Sequence, residues 1–471
     1  MVSRKNIIAA AAVSVIMAGC SMIPAYEKPA SPVAASFPAG EAYGEADSGS
    51  VNVSGIAWKD FFLAPELRAL IEKALENNRD LRVAALNIES ARAAYRIQRS
   101  DLLPNVDATG AFTRQRVPEN ASTTGSAYTA STYSVGIGVA AYELDFFGRV
   151  RSLSEKALES YFATEEARNA AQITLISEVA NAYITYLGDK EMLRLSEETL
   201  KNRQESYNLA KRKYELGSAT KLDLEQAATA VENARISKVQ YTRLTAQDLN
   251  ALTLLVGTQI DAASLQADLP DEVTALRALP AGVPSETLLN RPDIKRAEHS
   301  LKAANADIGA ARAAFFPSIT LTASAGLAST GLDDLFSSGS GLAWSFAPKI
   351  NIPIFNAGRN KANLEVAKVN QKIAAAEYEK AIQTAFREVA DQLAAKGTFT
   401  DQLEAQKSLA DSARSVYDLS NERYKHGVSS YLEVLDAHRS LFAAEQGLIS
   451  VRQQYLNNLV TLYKVLGGGQ I

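Results

Sequence analysis

Apolar residues recur every three or four positions along the stretch from Arg149 to Glu215. Leu153, Ala157, Tyr161, Thr164, Ala171, Leu175, Val179, Tyr183 and Leu187 make one line, with Leu158, Phe162, Ile176 and Ile184 in a second line beside it. Two apolar seams on one helix call for two neighbouring helices, as in a closed ring, where the many alanines allow close approach. At about 1.5 Å per residue a continuous helix here is ~100 Å long. Proline is absent from residues 119–269 and 354–471, so a second long helical region is predicted beside the first. Gly188 and Gly397 interrupt the two runs at nearly matching places and predict a local bend in each.

Gly217 is followed by Thr220-Lys-Leu-Asp223, and Gly427 by Ser430-Tyr-Leu-Glu433. A hydroxyl residue with an acid three places later is the capping-box pattern, so each region reads as a helix, a tight turn and a returning helix. The return legs carry Leu222, Leu224, Ala227 and Val231 in one case, and Leu432, Val434, Ala437 and Leu441 in the other.

Ahead of each long helix the period changes from three or four to two. Val106, Ala108, Gly110 and Phe112 alternate with polar or small residues, as do Tyr133, Val135, Ile137 and Val139; later come Ile319, Leu321, Ala323 and Ala325, then Trp344, Phe346, Pro348, Ile350 and Ile352. These are strands with one apolar face. Their lengths suit the about 9–11 residues of a tilted membrane-spanning strand, and the segments 119–131 and 330–342 between them are polar and rich in Gly and Ser. Period two also fits an ordinary soluble sheet, and a proline at position 348 disfavours a central strand. If the strands do span a membrane, four cannot close a barrel, for which about eight is the minimum, so several chains must share one.

The two sets of elements are copies. A shift of 213 places lays Asp80-Leu81 on Asp293-Ile294 and Leu103-Pro104 on Phe316-Pro317; a shift of 210 then pairs Gly148-Arg149 with Gly358-Arg359, Tyr207 with Tyr417, Gly217 with Gly427, Leu222 with Leu432 and Gly257 with Gly467. Such register over so long a span signals duplicated architecture. The three-residue change falls between Pro104 and Gly148. This divides the chain into repeat 1 at 63–257, a proline-bearing collar segment at 258–285, repeat 2 at 286–467 and a tail at 468–471.

The first residues are of a different kind. Arg4 and Lys5 precede an apolar run from Ile7 to Met17, too short to span a bilayer, and residues 1–19 read as a signal peptide. Met17-Ala18-Gly19-Cys20 resembles a lipoprotein cleavage box. That resemblance implies a lipid on Cys20, and Ser21 in place of aspartate favours the outer membrane. Residues 20–62 read as an extended arm leading from this anchor. No later apolar run approaches the ~20 residues of a membrane helix. The 49 basic and 53 acidic residues leave a net charge of -4, which gives no reason to expect nucleic acid. One cysteine and three scattered histidines offer neither an intrachain disulfide nor a metal site. No cofactor is expected apart from the covalent lipid.

The chain resembles the outer-membrane factors of tripartite pumps, the TolC-type family, and most closely its OprM-like lipoprotein branch. The resemblance rests on Tyr142-Glu-Leu-Asp-Phe-Phe-Gly-Arg149-Val-Arg151, Leu289-Asn-Arg-Pro-Asp293, Ala310-Ala-Arg-Ala-Ala-Phe-Phe-Pro317-Ser-Ile, Tyr431-Leu-Glu-Val-Leu-Asp436-Ala and Leu462-Tyr-Lys-Val-Leu-Gly-Gly-Gly469. It implies an internally duplicated α+β membrane protein with four transmembrane strands per chain, a homotrimer sharing a twelve-stranded barrel, and a long periplasmic helical barrel continuing it. It further implies a passive duct docking a periplasmic adaptor (membrane fusion) protein and an inner-membrane RND transporter, exporting drugs, detergents or solvents. By the same resemblance the periplasmic gate lies at Leu432, Glu433, Asp436 and Arg439, and the adaptor docks at the turns of Gly217, Thr220, Gly427 and Ser430. Some members lock the second turn with an arginine shortly after the glycine, where this chain has Ser429.

Plainer roles compete at each position. Glu433 can complete a capping box, Asp436 can answer the helix dipole, and Leu432 can be a seam residue. Metal-ion efflux and type I protein secretion are alternative cargo classes, although Met192 is the only methionine beyond residue 22. A structural coiled-coil lipoprotein would explain the helices and the anchor but leave the strands without purpose. No nucleophile-and-base cluster, phosphate loop or HExxH pattern suggests an enzyme.

Overall fold

A computed structural model describes residues 21–43, 55–123, 125–266, 268–272, 274, 285–337 and 341–469. The chain runs α1 (Pro65–Asn77), α2 (Arg79–Ser100), β1 (Val106–Val117), β2 (Tyr128–Leu144), α3 (Arg149–Glu215), α4 (Lys221–Val256), α5 (Pro292–Ala313), β3 (Ser318–Ser329), β4 (Gly341–Asn351), α6 (Arg359–Lys425) and α7 (Tyr431–Val465). Both long helices, α3 and α6, have 67 residues. Both stay helical through Gly188 and Gly397, where the sequence predicts a local bend, and the glycines admit close neighbours. A Cβ at Gly188 would lie 2.9 Å from Gln453 Oε1, and one at Gly397 would run into the Ala42 carbonyl. Among the described residues no helix is long and apolar enough to cross a membrane.

The described chain forms two compact units, and each takes matching pieces from both copies. One comprises the described residues up to Pro29, Asn87–Glu165 and Arg296–Tyr378; the other comprises Ala30–Leu86, Glu166–Lys295 and Glu379 onward.

The first unit contains an antiparallel sheet in chain order, β1-β2-β3-β4. Register places Val106 opposite Val139, Val139 opposite Ala323, and Ala323 opposite Phe346. Paired residues share a face, so the apolar positions of all four strands form one continuous surface. Phe112 and Tyr133 stack on it with ring centroids 4.6 Å apart. The other face carries small and polar side chains, and there the Ser324 and Ser345 hydroxyls hydrogen-bond at 2.8 Å. β1 and β4 have open edges, and Pro348 lies on one of them, where a sheet tolerates a missing donor. The strands have 12, 17, 12 and 11 residues, several of them longer than the alternation alone marked. β2 begins at Tyr128, inside the stretch expected to be loop.

The register also resolves the change of shift. Val106 matches Ile319 at 213 places, but their partners Val139 and Ile350 are only 211 apart, so two residues differ in the hairpin connection. The third is a bulge in β2 between Val139 and Tyr142, where Ala141 takes a φ of 52°. Its N–H donates to Thr322 Oγ1 at 3.3 Å.

Below the strands, Arg149 donates to both carboxylate oxygens of Glu143, at 2.8 and 2.5 Å, and Asp145 caps the start of α3 by accepting from the Arg151 N–H at 2.8 Å. The N-terminal arm lies antiparallel along α5. Arg312 donates to the Met22 carbonyl at 3.2 Å, Asn305 to that of Pro24 at 2.9 Å, and Lys28 pairs with Glu298 at 2.9 Å. A Cβ at Gly309 would lie 2.6 Å from Ile23 Cγ1, so only glycine leaves room for the arm there.

The second unit buries Leu67 and Ile71 of α1, Tyr183, Ile184 and Leu187 of α3, Leu252 and Val256 of α4, and Val460 and Leu462 of α7. α4 ends at Gly257 in the left-handed conformation, and Asn78 ties α1 to it by donating to the Leu255 carbonyl at 2.9 Å.

Candidate functional site

The site is built on the two helix turns of the second unit. At the first, Gly217 takes φ 73°; its N–H donates to the Tyr214 carbonyl at 2.9 Å, and the Ser218 N–H reaches back to Lys213 at 2.8 Å. Gly427 repeats this with φ 73°, donating to Tyr424 at 3.1 Å, while Val428 donates to Arg423 at 2.8 Å. A left-handed residue is needed to reverse the chain so tightly, and glycine takes that conformation without strain.

The two N-caps differ. Thr220 Oγ1 accepts from the Asp223 N–H at 3.1 Å while the Thr220 N–H donates to Asp223 Oδ2 at 2.9 Å, a closed capping box. Ser430 accepts from the Glu433 N–H at 3.4 Å, and the reciprocal half is formed only in the first copy. Glu433 is thus not held by its box. Ser429, where some members of the resembled family have arginine, accepts instead from Arg423 Nε at 2.9 Å.

Leu432, Glu433, Asp436 and Arg439 are all exposed and share one face of α7; Val434, Ala437, His438 and Leu441 are buried on the other. Leu222, the partner of Leu432 in the first copy, is equally bare, at 65% against 57%. Asp436 and Arg439 border a groove of about 910 Å³ between α3, α4 and α7, with Arg203, Leu222, Gln226 and Thr229 on its other sides. Asp436 also borders, with Glu433 and Ser440, a smaller cavity of about 410 Å³ against Val416 and Ser420 of α6. Neither Asp436 nor Arg439 makes a salt bridge with another described residue. Their charges stay available to a partner.

Beneath this face lies a buried polar cluster that pattern reading missed. Arg203 is 6% exposed, and burial lowers its pKa from the usual guanidinium range despite Tyr431 and Tyr417 beside it. His438 meets the Tyr417 ring edge-on at 4.7 Å, and burial together with the nearby Arg203 charge pushes its pKa down to about 4, so it is neutral near pH 7. Ala210, Ala227 and Tyr431 form the adjoining apolar core, against which Tyr207, Tyr424 and Leu435 pack. One signal could have found the cluster. At the repeat shift Arg203 matches Ala413, Tyr431 matches Lys221 and His438 matches Ala228, so the cluster sits where the duplication breaks, as do Asp436 against Gln226 and Arg439 against Thr229.

Cys20 and the signal peptide lie outside the described residues. Among those described, no group of three or more His, Cys, Asp or Glu side chains could hold a metal ion.

The structure thus joins a sheet with one apolar face and two open edges to 67-residue helices. The chain belongs to the outer membrane efflux protein family, whose sequence model matches residues 70–258 and 283–468. It is 53% identical over 465 residues to the toluene efflux pump outer membrane protein TtgC of Pseudomonas putida, covering 99% of this chain and 96% of that protein. The same identity and coverage relate it to the antibiotic efflux pump outer membrane protein ArpC of Pseudomonas putida. In three dimensions it matches the open state of the Neisseria gonorrhoeae MtrE outer membrane channel with a TM-score of 0.85 at 42% identity, covering 96% of this chain and 99% of that one. The protein is therefore an outer-membrane exit component of an efflux pump.

Proposed function

We propose that three copies of this chain close one barrel and form a passive duct that exports small amphiphilic compounds, the solvents and antibiotics named for its relatives among them. The observation that carries this reading is the continuous apolar face of a sheet whose edges are both open. β1 and β4 run in opposite directions and have 12 and 11 residues, so β4 of one copy fits β1 of the next, and three sets of four strands give twelve. The helices support the same arrangement. Val366, Val369 and Ile373 form a bare stripe on α6, as do Leu409, Val416 and Leu419 further along, and helices of neighbouring copies would cover them.

In this reading the lipid on Cys20 anchors the arm, the long helices form a periplasmic tube, and the turns at Gly217, Thr220, Gly427 and Ser430 receive a periplasmic adaptor that links the duct to an inner-membrane RND transporter. The duct supplies no energy. Deleting the gene in a strain lacking other exit ducts should raise susceptibility to hydrophobic drugs and toluene, and the purified protein should form pores in planar bilayers. Unchanged susceptibility together with the absence of pores would sink the reading.

The exposed face of α7 is the proposed gate. Three Asp436 carboxylates and three Arg439 guanidiniums, without a salt bridge to the other described residues of their own chain, would pair between copies around the axis while three Leu432 side chains narrow it. Asp436→Ala should then make the closed channel leakier, read as higher resting conductance in a planar bilayer. Wild-type conductance in that variant would reduce Asp436 to a carboxylate answering the α7 dipole.

A further inference from the structure

The apolar face of the sheet carries two charges. Arg114 and Arg116 of β1 project from it beside Ser131 and Thr129, their register partners on β2. Both arginines are exposed, and neither forms a salt bridge with another described residue. Glu119, the nearest carboxylate along the chain, leaves them unpaired too. They lie two and four residues beyond the Phe112–Tyr133 stack, ~7 and ~14 Å along the strand, at the end where both hairpin connections lie.

That end is the far one from α3 and α6, which start just past the other ends of β2 and β4. The proposed duct has the helices in the periplasm, so the arginine pair meets the outer leaflet.

We infer that Arg114 and Arg116, with the hydroxyls of Ser131 and Thr129, bind the phosphates of a phosphorylated glycolipid in the outer leaflet. Paired guanidiniums beside hydroxyl donors suit a phosphate, and the apolar face next to them suits acyl chains. Charge alone favours this occupant, because uncharged headgroups would leave two guanidiniums uncompensated at the edge of the hydrocarbon. The inference rests on the proposal that this face meets lipid.

The test is native mass spectrometry of the full-length protein in uncharged detergent, titrated with bisphosphorylated lipid A or with the same lipid dephosphorylated. The wild type should prefer the phosphorylated form by on the order of tenfold, and Arg114→Gln/Arg116→Gln should lose that preference. Arg114→Lys/Arg116→Lys, which keeps the charge, should retain most of it. Equal binding of both lipids by the wild type, an undiminished preference in the glutamine variant, or loss in the lysine variant as complete as in the glutamine one would each overturn the inference. Full displacement of the lipid by inorganic phosphate at equal concentration would do so as well, since it would define a free-anion site. Pore formation by the wild type is scored separately, so a protein that prefers the phosphorylated lipid but makes no pores would reject the duct and keep the lipid site.

Discussion

Gly326→Val is expected to remove nearly all of the protein from the outer membrane. Gly326 of β3 stands opposite Gly136 of β2 on the small-residue face of the sheet. A Cβ at position 326 would run into the Val135 carbonyl oxygen, and one at position 136 would lie 2.6 Å from that of Ala325. The obstacle is backbone in both cases, so no side chain can rotate aside and the strands must separate. Overpacking a core usually costs about 1–3 kcal/mol, and a clash with a ladder carbonyl belongs at or above the upper end. A loss of that size lowers cellular abundance at least several-fold, and the strain should be as drug-susceptible as the deletion mutant. Gly326→Ala should fall between the wild type and Gly326→Val. Gly341→Val is the control from the same sheet, because nothing lies within 4 Å of a Cβ there. Comparing the three proteins by immunoblot of purified outer membranes decides the matter; wild-type amounts of the Gly326→Val protein would show that the strands part more easily than their geometry suggests.

Local chemistry was readable from the sequence. The period-two runs mark the strands because a sheet with one apolar face repeats every two residues, and the glycine with its following hydroxyl and acid marks each helix turn because a reversed chain needs a left-handed residue and a cap. The duplication reinforced both. What stayed hidden depends on contacts between distant residues. Gly188 and Gly397 look like helix interruptions, since glycine weakens an isolated helix, yet each is where another segment comes close. Ala141 gives no sign that it will take a positive φ, because the bulge answers the register of β3, some 180 residues away. The burial of Arg203 and His438 shows only once α3 and α7 are packed together. The half-formed box at Ser430 is subtler. Its residue types match the pattern, but Glu433 does not turn back to the N-cap as Asp223 does in the first copy. The proposed gate residues came from family resemblance, and the structure adds that they are exposed on one face of α7, with no salt bridge from Asp436 or Arg439 to another described residue.

Arg291→Ala should cost the second unit about 3 kcal/mol or more, the typical loss when one partner of a buried ion pair is removed. Arg291 is 8% exposed and does three jobs at once. Its Nε and Nη2 hold both carboxylate oxygens of Asp293 at 3.0 and 2.7 Å, Nη2 reaches Glu388 of α6 at 2.8 Å, and Nη1 donates to the Val465 carbonyl at the end of α7 at 2.8 Å. One planar cation thus joins the start of α5 to two helices of the second repeat. Alanine would leave two partly exposed carboxylates side by side and a helix-terminal carbonyl without its donor. Because water reaches Asp293 and Glu388, at 37% and 36% side-chain exposure, the loss belongs near the lower end of the about 3–5 kcal/mol range. Arg291→Lys should recover only part of it, since an ammonium lacks the planar fork needed to serve Asp293, Glu388 and Val465 together. Glu388→Gln should cost less than Arg291→Ala, because the amide can still accept from the guanidinium. Thermal melts of the purified proteins in one detergent should rank the wild type highest, then Glu388→Gln, Arg291→Lys and Arg291→Ala. An Arg291→Ala midpoint equal to the wild type would mean that the three helices hold together without the arginine, and that apolar packing around Leu462 and Tyr463 carries the junction.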